Sequence, residues 1–419
     1  MENEFEKGFM AGFLLNYHKK EDGSGLPSGS GSWTYPSNWP KLPEPADNQI
    51  ILLIDNRGEY PKNTFSNSQV SYKYAPMVTY SKDYKTTINW GDGSGNQPIS
   101  YRENIDGHTY EPGTGHIAGK SEQWIVTITF DRSAEIGTEY IPDLSNKSML
   151  AVNMDVIAAK IGNSKYVGNR NTSQTSPYSL KTGSNLQYIK ICRGEFDFTM
   201  QVARHLHQVE LHKQITIIPK SAFYNCSTLC NINLENITEV EDKAFFGCRY
   251  LDASGKMPKL VSIGKYSFAY SKLSNIDFPC LETIGPYAFE DCSLLIHVSF
   301  PYETLKTIGA FAFQSCSSLI TIDFPYVTEA SDHICYSCLA LEKVNLPLVT
   351  KVGDFAFSDC WLLREANLES CTELGQNAFG FCYNLTNCTL HSGADITDKM
   401  TNSYNVKIKY VDDKTEEGT

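Results

Sequence analysis

Apolar and polar positions across residues 221–390 recur in one short pattern, copied eight times. Each copy holds an apolar-x-apolar unit, as in Ile232-Asn233-Leu234, Ile322-Asp323-Phe324 and Val344-Asn345-Leu346. That alternation predicts a short strand with two side chains inward and the middle one outward. A second column reads Phe223, Phe245, Phe268, Phe289, Phe313, Cys335, Phe357, Phe379, at intervals of 21 to 24 residues. Three residues after each stands Cys226, Cys248, Ser271, Cys292, Cys316, Cys338, Cys360 or Cys382. Phe supplies volume and a thiol is small and apolar, so both columns are expected to close the far side of each coil. Gly264, Gly285, Gly309, Gly353 and Gly375 precede the Phe column by four residues, which suggests a recurrent turn at positive φ. Pro279, Pro301, Pro325 and Pro347 directly follow strands, where a missing N–H stops a ladder.

A period of 20–29 residues with one strand per copy predicts a leucine-rich-repeat solenoid of short parallel strands, with an irregular or short-helical convex side. Weaker strand units at Leu206-x-x-Val209-x-Leu211, Leu186-x-x-Ile189-x-Ile191 and Met149-x-x-Val152-x-Met154 extend it to residues 145–398. That is about eleven coils, with strands ~4.8 Å apart. Ile284-Gly285-Pro286-Tyr287-Ala288-Phe289…Cys292…Leu295 and Ile308-Gly309…Ala312-Phe313…Cys316…Leu319 resemble the unit of BspA-like leucine-rich repeats of bacterial cell-surface proteins. The pattern departs at residues 251–257, where the strand unit blurs, and at Cys335. The resemblance implies adhesion at a bacterial surface.

Before the solenoid the pattern changes to separated β segments, alternating most clearly in Trp124-Ile125-Val126-Thr127-Ile128-Thr129-Phe130. Trp90-Gly91-Asp92-Gly93-Ser94, then His108-Thr109-Tyr110, then Val126-Thr127-Ile128 resemble PKD domains. That resemblance implies an immunoglobulin-like β-sandwich over 47–140, acting as a spacer or adhesion module. At the start, Phe5, Phe9, Phe13 and Tyr17 recur every fourth residue and predict an amphipathic helix over 1–20. Residues 21–46 are rich in Gly, Ser and Pro and read as a linker, and 399–419 as a C-terminal strand with an acidic tail. A short helix on a tether either docks on a partner, self-associates, or stays a disordered terminus.

The formal charge of −12 and the lack of a basic run argue against nucleic acid and anionic membranes. No apolar run reaches the ~18 residues of a membrane span. Glu2, Glu4 and Glu6 leave no clear Sec signal. Of the thirteen cysteines, seven share one repeat column, so they read as packing rather than as a disulfide scaffold.

Gly91-x-Gly93-x-Gly95 lacks the helix and Lys-Ser/Thr of a phosphate loop. Asp92, Ser94, Asn96, Ser100 and Glu103 echo a calcium loop, but Gln97 stands where Gly is needed. Cys335-Tyr336-Ser337-Cys338 falls in core columns, with no second pair at zinc spacing. His205 and His207 share a face at period two, which leaves open both a metal and ordinary surface histidines. No catalytic, cofactor-binding or metal-binding residue is assigned, and a non-enzymatic protein is expected.

The candidates for partner contact are the outward strand residues Asn233, Asp323, Asn345 and Asn367, and two aromatic pairs. Trp361 and Tyr383 follow the Cys column; Tyr302 and Tyr326 follow Pro. Exposed Trp and Tyr are enriched where proteins or sugars bind. The expectation is a recognition or adhesion protein binding a protein or glycan, at a cell surface or on a virion as a phage host-recognition component. A cytoplasmic interaction scaffold is the alternative.

Overall fold

The computed structural model describes residues 33–55, 86–99, 123–130, 156–162, 186–194, 200, 203–404 and 406–412. The helix expected over 1–20 lies outside them, as do His108, Thr109 and Tyr110.

Seven strands open the described chain: β1 (Gln49–Asp55), β2 (Thr86–Asn89), β3 (Asn96–Ile99), β4 (Gln123–Phe130), β5 (Val156–Ile161), β6 (Tyr188–Ile191) and β7 (Gln208–Glu210). They form one sheet in the order β3-β2-β4-β1-β5-β6-β7, continued by Asn231–Ile232. Pairing is antiparallel as far as β1–β5 and parallel from β5–β6 onward. The strands expected of a sandwich therefore run on into the solenoid's own sheet. Ile50 to Ile54 are all buried, on both faces of β1, as a continuous apolar run requires. Residues 90–95 are the tip of the β2–β3 hairpin, with Gly91, Gly93 and Gly95 at positive φ. The Asp92 carboxylate accepts the Ser94 N–H at 3.0 Å, so this stretch is turn chemistry.

The second half of the expected linker packs down. Leu42 is 2% exposed, and Tyr35 sits edge-on to Trp39 and Tyr188. Lys160, 8% exposed, donates to the Leu42 carbonyl at 2.9 Å and pairs with Glu44 at 2.6 Å. Lys190 joins Glu44 at 3.1 Å, and Arg193 meets Asp47 at 2.8 Å. Residues 34–48 thus form a strap clasped to β5 and β6.

Downstream, the parallel main sheet resumes at Asn275–Ile276 and runs through His297–Ser299, Thr321–Asp323, Lys343–Asn345, Glu365–Leu368 and Asn387–His391 to Lys407–Val411. The break falls at residues 251–257, where the apolar alternation blurs. Each of the eight legible copies also has a second two-residue strand, in five of them just ahead of the Gly column, such as Thr283–Ile284 and Thr307–Ile308. Turns close the far side, and the described residues contain no helix.

The core is a set of ladders. Stacked Phe rings lie 5.2 to 5.8 Å apart along the second column, from Phe223 to Phe313 and again at Phe357 and Phe379. Each such pair contributes about 0.5–1.5 kcal/mol beyond its burial. Cys335 interrupts the stack, and Ile334 stands where most coils have Ala, so volume lost at one position returns at its neighbour. The Cys column donates as well as fills. Cys248, Cys292, Cys316, Cys338 and Cys382 each give an S–H bond of 3.0 to 3.2 Å to the Phe-column carbonyl of the preceding coil. Burial pushes the Cys292 thiol up to about 12, which keeps the donor proton in place. Cys226 makes the same bond to Met200, and the Ser403 hydroxyl makes it to Phe379. The bonding pattern therefore continues one coil beyond each end of the eight legible copies, upstream into the coil already expected at Leu206-x-x-Val209-x-Leu211 and downstream past the expected limit at residue 398.

The Gly column does not adopt positive φ. Its glycines are demanded by close approach instead. A Cβ on Gly264 would lie 2.5 Å from Asp242 N, and one on Gly285 would lie 2.7 Å from the Gly264 carbonyl carbon. The left-handed positions fall two residues before and two after the Phe column, as at Tyr287 and Asp291 around Phe289.

Candidate functional site

The outward residues of the main strands make a ladder of side chains one coil apart. Asn345 Nδ2 donates to Asp323 Oδ1 at 2.6 Å, and Asn367 Nδ2 donates to Asn345 Oδ1 at 2.9 Å. Further up, Asn233 spans to Leu211, bonding its N–H at 2.6 Å and its carbonyl at 2.9 Å. From Asp323 through Asn345 to Asn367 the predicted polar column is in register, while Asn233 lies in the sheet before the break, and much of the column's hydrogen-bonding capacity is spent on itself. Asn367 Oδ1 is left buried with no partner among the described residues.

The four aromatic candidates lie on opposite rims of this face. Trp361 and Tyr383 are adjacent, centroids 6.4 Å apart and planes 57° from parallel, so they form an open angle rather than a stack. Tyr383 is 43% exposed, while the half-buried Trp361 keeps an indole N–H without a partner among the described residues. Leu362 beside them is 42% exposed. Tyr302 reaches Asp277 at 3.4 Å, and the charge of that carboxylate pushes its phenol up. Tyr326 is exposed, and the two tyrosines make no ring contact with each other.

A stronger aromatic feature escaped the sequence reading. Tyr266, Tyr287, Phe311, His333 and Phe355 stack on one another at 4.5, 4.5, 4.3 and 5.1 Å along the outside of five coils. Lys265 lies 5.2 Å over Tyr266. The signal was present: an aromatic two residues ahead of the Phe column in five successive copies. These rings occupy one another's faces, so the ladder offers edges, whereas Trp361 and Tyr383 meet at an angle and Phe381 lies edge-on to Tyr383. Desolvation lowers the His333 imidazole's affinity for a proton, and its Nδ1 has no partner among the described residues.

His205 is exposed and His207 half-buried, with a ring nitrogen of His207 3.3 Å from the Thr228 carbonyl. Burial lowers the pKa of both. Among the described residues no group of three or more His, Cys, Asp or Glu side chains is placed to hold a metal ion. Nor is any helix there long and apolar enough to cross a membrane. All thirteen cysteines, including Cys335 and Cys338, are free thiols.

Two lines of comparison meet this geometry. The model of the BspA type leucine rich repeat region matches residues 194–303 and 282–409, in six copies, together just over half of the chain. The chain belongs to that family of leucine-rich-repeat solenoids. A search of the curated proteins finds no match. Among solved structures, a leucine-rich repeat protein from Bacteroides ovatus is similar at 18% identity and a TM-score of 0.40, over 61% of this chain and 88% of that one. A leucine-rich repeat protein of T. pallidum is similar at 21% identity and a TM-score of 0.30, over 59% of this chain and 91% of that one. The pneumococcal vaccine antigen PcpA is similar at 15% identity and a TM-score of 0.33, over 60% of this chain and 77% of that one.

Proposed function

We propose that the chain is a non-enzymatic recognition protein that binds a protein or a glycan through the side of its solenoid. The observation that carries this reading is the main-sheet face: a polar ladder in register over successive coils, with Trp361, Leu362 and Tyr383 on one rim and Tyr326 on the other. The polar floor gives shape without strong charge, and exposed Trp and Tyr are the side chains that supply most contact energy in binding surfaces. The residues ahead of the array act in this reading as a PKD-like spacer, at a bacterial surface or on a virion that recognises a host. The test is direct. Replacing Trp361 and Tyr383 together with Ala should abolish binding to a glycan array or a panel of surface proteins while the far-ultraviolet spectrum stays unchanged. Undiminished binding by that variant would sink the reading.

One observation favours a second reading, an intracellular interaction scaffold. Thirteen free thiols suit a reducing compartment better than an oxidising one. Protease shaving of intact cells separates the two. Solenoid peptides released from the surface, or found in purified particles, support the first reading; peptides seen only after lysis support the second.

A further inference from the structure

The C-terminal strand Lys407–Val411 is the last of the main sheet, paired parallel to Asn387–His391 on one side and, among the described residues, to nothing on the other. Its backbone therefore offers a free row of donors and acceptors. Two further observations say what would fit there. The first is the core. Ile408 and Tyr410 stand in register with Cys388 and Leu390, which are buried at 1% and 0% exposure. Yet Tyr410 is 48% exposed and Ile408 only half-buried, as are Ile396, Met400 and Val406 of the same end. Solenoid ends normally present a polar cap; this one presents apolar side chains in core columns.

The second is charge. Within the array, strand lysines meet carboxylates at the same register position one coil on: Lys343 with Glu365 at 3.4 Å, Lys351 with Glu373 at 4.0 Å. Lys407 and Lys409 occupy the outward positions of the last strand and have no ion pair among the described residues. The pairing seen between those coils has no counterpart at this edge among the described residues.

We propose that Lys407–Val411 takes one added strand from a partner, an extended segment with carboxylates at alternate positions and apolar residues between them. The carboxylates would face Lys407 and Lys409, the apolar residues would cover Ile408 and Tyr410, and the partner's backbone would complete the ladder. A second copy of this chain fits less well. Identical edges pair antiparallel, and the registers centred on Lys409 or Ile408 set Lys409 against Lys409 or against Lys407, where like charges directly opposite are unfavourable. This interface is separate from the lateral face and does not rest on the reading above.

The test uses the full chain and a short fluorescent peptide of alternating glutamate and valine. Saturable binding is expected, weakening with salt, with slowed hydrogen exchange confined to residues 407–411. Lys407→Glu combined with Lys409→Glu should weaken it about tenfold, since two exposed ion pairs become repulsive. A peptide of alternating lysine and valine should not bind. Equal binding of both peptides, protection elsewhere in the array, or no saturation would overturn the proposal. So would self-association that protects 407–411 without peptide. A chain ending at residue 412 that bound the peptide far more tightly would also overturn it, by making the protein's own Asp413, Glu416 and Glu417 the occupant.

Discussion

The solenoid ends differently at its two extremities, although the same columns run through both. At the N-terminal end Met200 stands in the Phe column at 0% exposure, below a sheet that β1 and β4 extend antiparallel. The outer face there is covered too, by a strap whose Glu44 answers Lys160 and Lys190. At the C-terminal end Met400 takes the equivalent position and is only half-buried, with Lys407 and Lys409 unanswered among the described residues. A repeat therefore specifies a coil but not its closure. Closure requires residues outside the repeat, because a stacked unit always leaves one sheet edge and one core face uncovered.

The largest test of this contrast is a pair of identical substitutions. Met200→Ala is expected to cost about 2–5 kcal/mol, as a fully buried truncation does, and Met400→Ala less than about 1 kcal/mol. Chemical denaturation of both variants measures it; equal losses would erase the distinction between the ends. Overpacking gives the next largest effect. Cys335→Phe in the closed interior should cost about 1–3 kcal/mol, and Ile334→Ala added to it should restore most of the loss. Met400→Phe at the open end should cost almost nothing.

Charge at the two ends separates them again. Glu44→Gln removes the anionic partner of a buried lysine and should cost about 1 kcal/mol, whereas Lys409→Gln should leave stability unchanged. Hydrogen bonding to Lys160 holds the Glu44 carboxyl at about 2, below its ordinary 4.5. Because that pKa is lowered in the folded chain, its contribution is complete above pH 4.5 and is lost as pH falls towards 2. Hydrogen exchange in β5 and β6 should therefore quicken across that window in the wild type and not in Glu44→Gln. The smallest effect lies between the ends. Ser337 is held at φ 57°, so Ser337→Gly should stabilise by up to about 1 kcal/mol in a melting experiment.

Much of this was readable from the chain. Ile-x-Leu alternation, the Phe and Cys columns and their period gave the coil, the inward side chains and the outward polar column of Asn233, Asp323, Asn345 and Asn367. The Gly column was legible as a constraint but not as the right one. One sequence cannot distinguish a glycine needed for φ from a glycine needed because the preceding coil's backbone lies within 3 Å of where a Cβ would stand. The second strand was missed because two residues carry no periodicity. The outer aromatic ladder was missed because its positions lie at left-handed turns, where strand and helix patterns do not apply. Trp361 and Tyr383 share a column of the repeat, but their 57° tilt belongs to packing and not to spacing.

By itself, then, the sequence determined the repeating unit. Periodicity of side-chain volume fixes which atoms must leave water, and each coil solves that problem with its neighbours alone. Only the tertiary structure decided what meets the outer coils: which strand joins antiparallel, which strap covers Lys160, and which edge holds lysines without an ion pair among the described residues. Those choices depend on contacts between segments more than a hundred residues apart, such as Glu44 with Lys160, and no local pattern encodes them.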